Sequence, residues 1–176
     1  MSGYDFVRTR REDVKPLPNI GPKAERFRRG MKFYTRLNAL VFMLSGGRLM
    51  NTAMGGYPVC LVTLTGAKTG KRRDIPLIHV AHGEEKLLVG SQAGLDRHPA
   101  WVYSLRANPD IVITADGEKR SYRAREVDLE EKARLWPHLL SVYPAYDEYQ
   151  ARTDRNIPVF VCEPARGTRR SAAADN

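Results

Sequence analysis

Leu61-Val-Thr-Leu-Thr-Gly-Ala-Lys-Thr-Gly-Lys-Arg-Arg73, followed by Asp74-Ile-Pro-Leu77, decides how this chain is read. The apolar, β-branched run from Pro58 to Thr65 predicts a buried strand, and Ile75 to Val80 predicts a second. Between them lies a loop with Gly66, Gly70 and four cations: Lys68, Lys71, Arg72 and Arg73. Glycines permit positive φ and close backbone approach, while cations and free N–H groups offer an anion charge-assisted hydrogen bonds. The loop therefore suits a phosphate or a carboxylate; a solvated basic hairpin is the plainer alternative. It is no P-loop, because Thr65 stands where the first glycine belongs and Arg72 follows Lys71 where Ser or Thr is required. Lys68-Thr69-Gly70 matches a serine β-lactamase tripeptide, but the Ser-x-x-Lys nucleophile motif is absent.

A chain of 176 residues with 42% hydrophobic content fits one globular domain. No run of 18 apolar residues appears, and Met1 to Arg11 lacks the apolar stretch of a signal peptide. Cys60 and Cys162 sit in strand-like runs and read as buried free thiols of a cytoplasmic protein. Residues 1–50 hold 11 Lys/Arg against 4 Asp/Glu, whereas residues 51–164 hold 15 of each. A neutral body argues against a nucleic-acid-binding domain. The basic N-terminal part suggests contact with an anionic surface.

Residues 1–22 read as a loosely held arm that can be deleted without touching the core, and 165–176 as a disordered tail. Lys23 to Ser45 predicts a basic amphipathic helix, ended by Gly46-Gly47. Such a helix either rests on an anionic membrane surface or packs on the domain with its cations solvated. Strands are expected at Ile75–His82 and Lys86–Gln92, and again at Asp110–Ala115 and Ser121–Val127 around the Asp116-Gly117 turn. A short helix should span His98 to Ala107. Asp128 with Glu131 forms a capping box opening a helix to about Tyr143. Tyr146 to Ala151 reads as a turn or short helix, and Ile157 to Cys162 as the last strand. The fold class is α+β, a small barrel of about six mainly antiparallel strands with flanking helices.

Metal-ligand spacing is absent around His79, His82, His98 and His138. No Gly-x-Ser-x-Gly surrounds Ser91 or Ser104. A protein without such groups is suited to let a bound cofactor carry the chemistry. Tyr143, Tyr146 and Tyr149 recur every three residues and share one face if the segment is helical. Phenols there can stack on a flat ligand, donate a hydrogen bond or deliver a proton; core packing is the alternative. Trp101 divides in the same way between core anchor and cofactor wall.

Five blocks in order resemble the deazaflavin-dependent nitroreductase family of actinobacteria, whose members use coenzyme F420. They are Thr63-x-Thr-Gly-x-Lys-Thr-Gly-x-x-Arg73, Asp96-x-x-Pro99-x-Trp101, Leu105-x-Ala-Asn-Pro109, Trp136-Pro to Tyr143-Pro-x-Tyr146-x-x-Tyr149-Gln, and Thr153-Asp-Arg-x-Ile-Pro158 leading to Cys162-Glu-Pro164. The resemblance covers residues 57–164 and implies a split β-barrel related to flavin-binding reductases. It implies that Lys68 and Thr69, with Arg73, hold the phosphate and oligoglutamate tail, with Ala67 among the cofactor-binding positions. Asp74, Ile75, Pro76, Leu77 and Ile78 would border the cofactor. Val89, Gly90, Ser91 and Gln92, with Ala100, Trp101, Val102, Tyr103 and Ser104, would line the ring and ribityl chain. Tyr143, Tyr146 and Tyr149 would wall the substrate side, Tyr146 also touching the deazaflavin, with Ser91 beside the reacting centre.

The implied reaction is hydride transfer from reduced F420 to a quinone, enone or nitro-compound. An FMN oxidoreductase and a non-catalytic deazaflavin or haem carrier are the alternatives. Ala67 stands where the family loop commonly carries arginine, Gln92 where close relatives carry lysine, and Ser104 where they carry asparagine. These departures bear on ring orientation and substrate choice. The oligomeric state is not implied.

Overall fold

A computed structural model of the chain describes residues 4–14 and 56–165. The helix expected over Lys23 to Ser45 and the tail beyond residue 165 lie outside the described residues. Six strands form: β1 Val59–Thr65, β2 Arg72–His82, β3 Glu85–Val89, β4 Asp110–Ala115, β5 Glu118–Glu126 and β6 Val159–Pro164. Three α-helices accompany them among the described residues: α1 Ala100–Ala107, α2 Leu129–Val142 and α3 Ala145–Arg152. The strands close into a barrel in the order β1-β2-β3-β6-β5-β4, every neighbouring pair antiparallel. This is the six-stranded barrel that the sequence pattern predicts.

Several boundaries shift from expectation, three of them for a clear local reason. β2 begins at Arg72, paired with Thr65, so the loop shrinks to residues 66–71 and Arg72 and Arg73 become strand residues. β3 stops at Val89, because the Gly90 N–H turns to Pro158 O (2.8 Å) and the chain leaves the sheet before Gln92. β5 starts at Glu118, because Asp116 (φ 52°) and Gly117 (φ 81°) complete a two-residue hairpin.

Strand alternation sorts the side chains into two cores. Cys60, Val62, Leu64, Leu88, Ile111, Ile113, Tyr122, Ala124, Phe160 and Cys162 fill one, with Trp101, Val102 and Leu105 of α1 packed into it. Both cysteines are buried free thiols. Leu87, Val89, Val159 and Val161 face the other way and meet Trp136 and Leu139 of α2 and Tyr146 of α3. Asp128 caps α2 by accepting from the Glu131 N–H (2.7 Å), but the Glu131 carboxylate pairs with Arg125 and leaves the box half made.

Residues 4–14, expected to be part of a loose arm, lie against α2 and α3. Phe6 packs on Trp136 at 5.2 Å between centroids. The Asp147 carboxylate accepts from Arg8 N, Thr9 N, Thr9 Oγ1 and Trp136 Nε1 at 2.6–3.3 Å. Deleting residues 1–22 therefore removes native contacts of the second core, contrary to the sequence expectation.

Beneath this segment Lys132 is 1% exposed, its Nζ donating to Gln150 Oε1 (2.7 Å) and Asn156 Oδ1 (2.6 Å). Tyr4, Phe6 and Trp136 present their rings to it at 5.0–5.2 Å. Burial, then the Arg155 charge, pulls its ammonium down from 10.5 to about 7. Between those values the unfolded chain binds the additional proton, so stability rises with pH. Urea unfolding should gain about 2 kcal/mol from this group between pH 7 and pH 9. Lys132→Met should flatten that rise, and an undiminished slope in the variant would refute the assignment.

Candidate functional site

A cavity of about 800 Å3 opens between the β1–β2 hairpin and the N-terminal half of α1. The loop that forms its rim is built locally. Gly66 N donates to Lys71 O and Gly70 N to Gly66 O, both at 2.9 Å, and Gly70 adopts φ +63°. A Cβ on Gly66 would lie 3.0 Å from Thr69 Oγ1 and 3.4 Å from Arg73 Nε, so the missing side chain lets both groups crowd the rim. Ser104 ties the loop to α1, since its Oγ accepts from Ala67 N (3.3 Å) and donates to Ala100 O (3.3 Å).

The cavity lining combines cations with apolar side chains. Lys68, Arg73 and Arg97 line it, and none forms an ion pair with a described residue. Leu64, Ile75 and Trp101 supply the apolar part. Trp101 serves both readings made of it, because it is 7% exposed against Phe160 and also lines the cavity. Unpaired cations beside an apolar wall suit a ligand that is flat at one end and anionic at the other.

Of the residues singled out in sequence, Ala67, Lys68, Thr69, Arg73, Ile75, Gln92, Ala100, Trp101, Tyr103 and Ser104 line this cavity. Asp74 does not. It lies on the opposite face of β2 and its Oδ1 accepts from Thr63 Oγ1 (2.6 Å). Pro76 and Ile78 share that outer face by alternation, while Leu77 faces the barrel core. Val102 is likewise core. Val89 belongs to the second core, and Gly90 is a close-approach position, where a Cβ would come within 2.8 Å of Pro158 and Val102. Arg97 and His98 line the cavity without having been singled out; a cation and an imidazole just ahead of the Pro99 helix start were the available signal.

The tyrosines do gather, but apart from the cavity lining. Tyr143 packs on Tyr146 (4.8 Å) and on Tyr57 (4.6 Å, edge-on), and its hydroxyl lies 3.1 Å from that of Tyr149. Burial pushes the phenols of Tyr143 and Tyr146 well above their ordinary value, so both stay protonated. The turn at residues 91–94 joins this cluster to the cavity. Gln92 lines the cavity, Ser91 precedes it, and α3 packs on the same turn through Arg152 Nη1 to Ala93 O (2.7 Å). Gln92 (φ 45°) and Ala93 (φ 54°) both adopt left-handed backbone, a conformation that surrounding contacts must hold.

A family model described as F420H(2)-dependent quinone reductase matches residues 34–164. An F420H(2)-dependent quinone reductase of Mycobacterium tuberculosis is 35% identical over 130 residues, covering 72% of this chain and 87% of the relative. A solved structure of an F420-H2 dependent reductase is 39% identical with a TM-score of 0.57, covering 60% of this chain and 94% of that one. Another, described as a domain-swapped dimer, is 33% identical with a TM-score of 0.59, covering 75% and 98%. Matched over most of its length in sequence and again in fold, the chain belongs to the F420H(2)-dependent quinone reductase family.

Proposed function

We propose that this protein binds coenzyme F420 in the cavity between the β1–β2 hairpin and α1 and reduces a quinone with it. The observation that carries this reading is the trio of cations, Lys68, Arg73 and Arg97, none ion-paired with a described residue, lining one cavity with apolar Leu64, Ile75 and Trp101. The group fits: those cations and Thr69 would hold its anionic tail, and Ile75 and Trp101 would border its flat ring. When bound and reduced, F420 supplies a hydride. The chain's own task is to fix the ligand, exclude water and present the acceptor.

Ser104 holds the loop at the Ala67 N–H, so the cations are aimed before any ligand arrives. The Tyr143–Tyr149 hydroxyl pair shares one proton internally and leaves the other to donate. With phenols held protonated, the cluster polarises an acceptor oxygen by hydrogen bonding better than it surrenders a proton. A quinone carbonyl is the acceptor such a donor suits; enones and nitro-aromatics offer comparable oxygens and are secondary substrates in this reading. An FMN enzyme is disfavoured, because a single phosphate leaves part of the cationic rim unused.

Fluorescence titration with F420 tests the cavity. Lys68→Ala should weaken binding by about 10- to 100-fold, the scale of one charge-assisted hydrogen bond, and added salt should weaken it further. FMN binding as tight as F420, or indifference to the substitution, would overturn the reading. Tyr146→Phe removes one hydroxyl from the cluster and keeps the ring. Turnover of a soluble quinone should fall about 10- to 100-fold with F420 affinity nearly unchanged. Unchanged turnover in all three single phenylalanine variants would place the acceptor elsewhere.

A further inference from the structure

Arg155 stands on the segment between α3 and β6, outside the cavity lining, yet its guanidinium reaches the chain that lines it. Its Nε donates to Leu95 O (2.6 Å), and its Nη2 donates to Ser91 O (2.7 Å) and Gly90 O (3.3 Å). Its Nη1 lies 2.9 Å from His98 Nδ1. A guanidinium carries only donors and keeps its charge in proteins, so His98 Nδ1 must be the acceptor. A ring nitrogen that accepts carries no proton. The imidazole is thereby fixed as the neutral tautomer, with its one N–H at Nε2. His98 lines the cavity, its ring set edge-on to Tyr103 at 5.9 Å, and Nε2 has no hydrogen-bond partner among the described residues.

We infer that Arg155 is a positioning residue that locks His98 as a neutral Nε2–H donor to an oxyanion of the bound ligand. The inference rests on the cavity being the cofactor site. It assigns His98 to the same anionic group that Lys68, Thr69, Arg73 and Arg97 surround. It also separates the role of His98 from theirs, because the imidazole gives direction without adding charge.

The charges facing His98 keep it neutral. Arg155 approaches from the segment before β6 and Arg106 from α1, Arg97 is the neighbouring residue, and Lys68 and Arg73 line the same cavity. Of the opposing carboxylates, Glu126 of β5 is held bidentately by Arg106 (2.7 and 2.8 Å), and Asp96 accepts from Thr153 Oγ1 (3.3 Å). Burial, followed by the Arg155 and Arg106 charges, holds His98 below its ordinary value. Its neutral form should therefore persist to lower pH than that of an ordinary imidazole.

Nitrogen-15 spectra of the full chain, with His98→Ala to assign the ring, test the lock without any cofactor. At pH 7 the expected pattern is an unprotonated Nδ1 and a protonated Nε2. An Nδ1–H tautomer or an imidazolium at that pH would overturn the inference. Inorganic phosphate and glutarate, titrated separately, then show which oxyanion shifts the Nε2 resonance. A response to the first assigns a phosphate, a response to the second a carboxylate, and silence to both removes the oxyanion role.

In F420 titrations His98→Ala should weaken binding about 3- to 10-fold, the scale of one neutral hydrogen bond. His98→Gln, whose amide N–H can occupy the Nε2 position, should restore most of it; equal loss in both variants counts against the donor role. Arg155→Met should let His98 titrate and make F420 affinity vary between pH 6 and 8. Because Arg155 also holds three carbonyls, the wild-type spectrum remains decisive if that variant does not fold. Should wild-type protein bind no F420 at all, the cofactor reading fails, while the tautomer and oxyanion results still decide His98.

Discussion

Asp147→Ala should destabilise the protein by about 3–5 kcal/mol, because it leaves four donors, the buried Trp136 Nε1 among them, without an acceptor. The carboxylate is 5% exposed and accepts from Arg8 N, Thr9 N, Thr9 Oγ1 and the buried Trp136 Nε1. The corresponding fall in melting temperature is on the order of 10 °C for a domain of this size. Hydrogen exchange should show the Arg8 and Thr9 amides losing protection before the barrel does. Asp147→Asn keeps the volume and should cost less. Burial alone would raise this carboxyl, but its hydrogen bonds from Thr9, Trp136 and Arg8 outweigh that and hold it below its ordinary value. A depressed carboxyl stabilises above its unfolded pKa and loses that contribution as pH falls. Residues 4–14 should thus detach at a pH below about 4, ahead of global acid unfolding. Unaltered melting together with retained amide protection in the alanine variant would refute this anchor.

Gly94→Ala should cost about 2–5 kcal/mol and disturb the cavity from a distance. Gly94 adopts φ +75°, which penalises any Cβ by about 1–2 kcal/mol. Its Cβ would also lie 2.6 Å from Tyr149 O and 3.1 Å from Tyr149 Cα. Those are backbone atoms of α3, so the clash is relieved only by moving a helix, at a further 1–3 kcal/mol or so. Gly70→Ala is the control, since Gly70 has φ +63° but open space around it. If the two variants melt alike, close approach at Gly94 contributes nothing. If Gly94→Ala also weakens F420 binding, the turn at residues 91–94 couples the tyrosine cluster to the cavity.

What was legible in sequence follows the range over which each signal acts. Alternating apolar residues in Val59–Thr65 mark a strand, and Asp116-Gly117 marks a hairpin, because both are local choices. Arg72 and Arg73 read as loop because of their charge; they are strand residues at a barrel mouth, where polar side chains reach solvent without leaving the ladder. The cationic rim was legible because glycines and cations crowd one short segment. The position of the tyrosines relative to it was not, since that depends on Tyr57 meeting Tyr143 across a long separation in sequence. Lys132 and Asp147 carried no signal either. A charged residue on a helix ordinarily reads as solvated, and nothing near them in sequence says that residues 4–9 will cover them.

The closed order of the barrel also dictates a sequence of events. β1 to β3 and β4 with β5 can pair as local hairpins, but β6 must slot between β3 and β5 and form both ladders together. Until it arrives, two strands present open rows of N–H and C=O groups beside apolar side chains such as Leu87. Pairing across such long sequence separation is slow, typically milliseconds to seconds for β-rich domains. The nascent chain is therefore most vulnerable late, when nearly everything is built except the final stave. In that interval chain concentration, more than final stability, governs how much protein reaches the folded state.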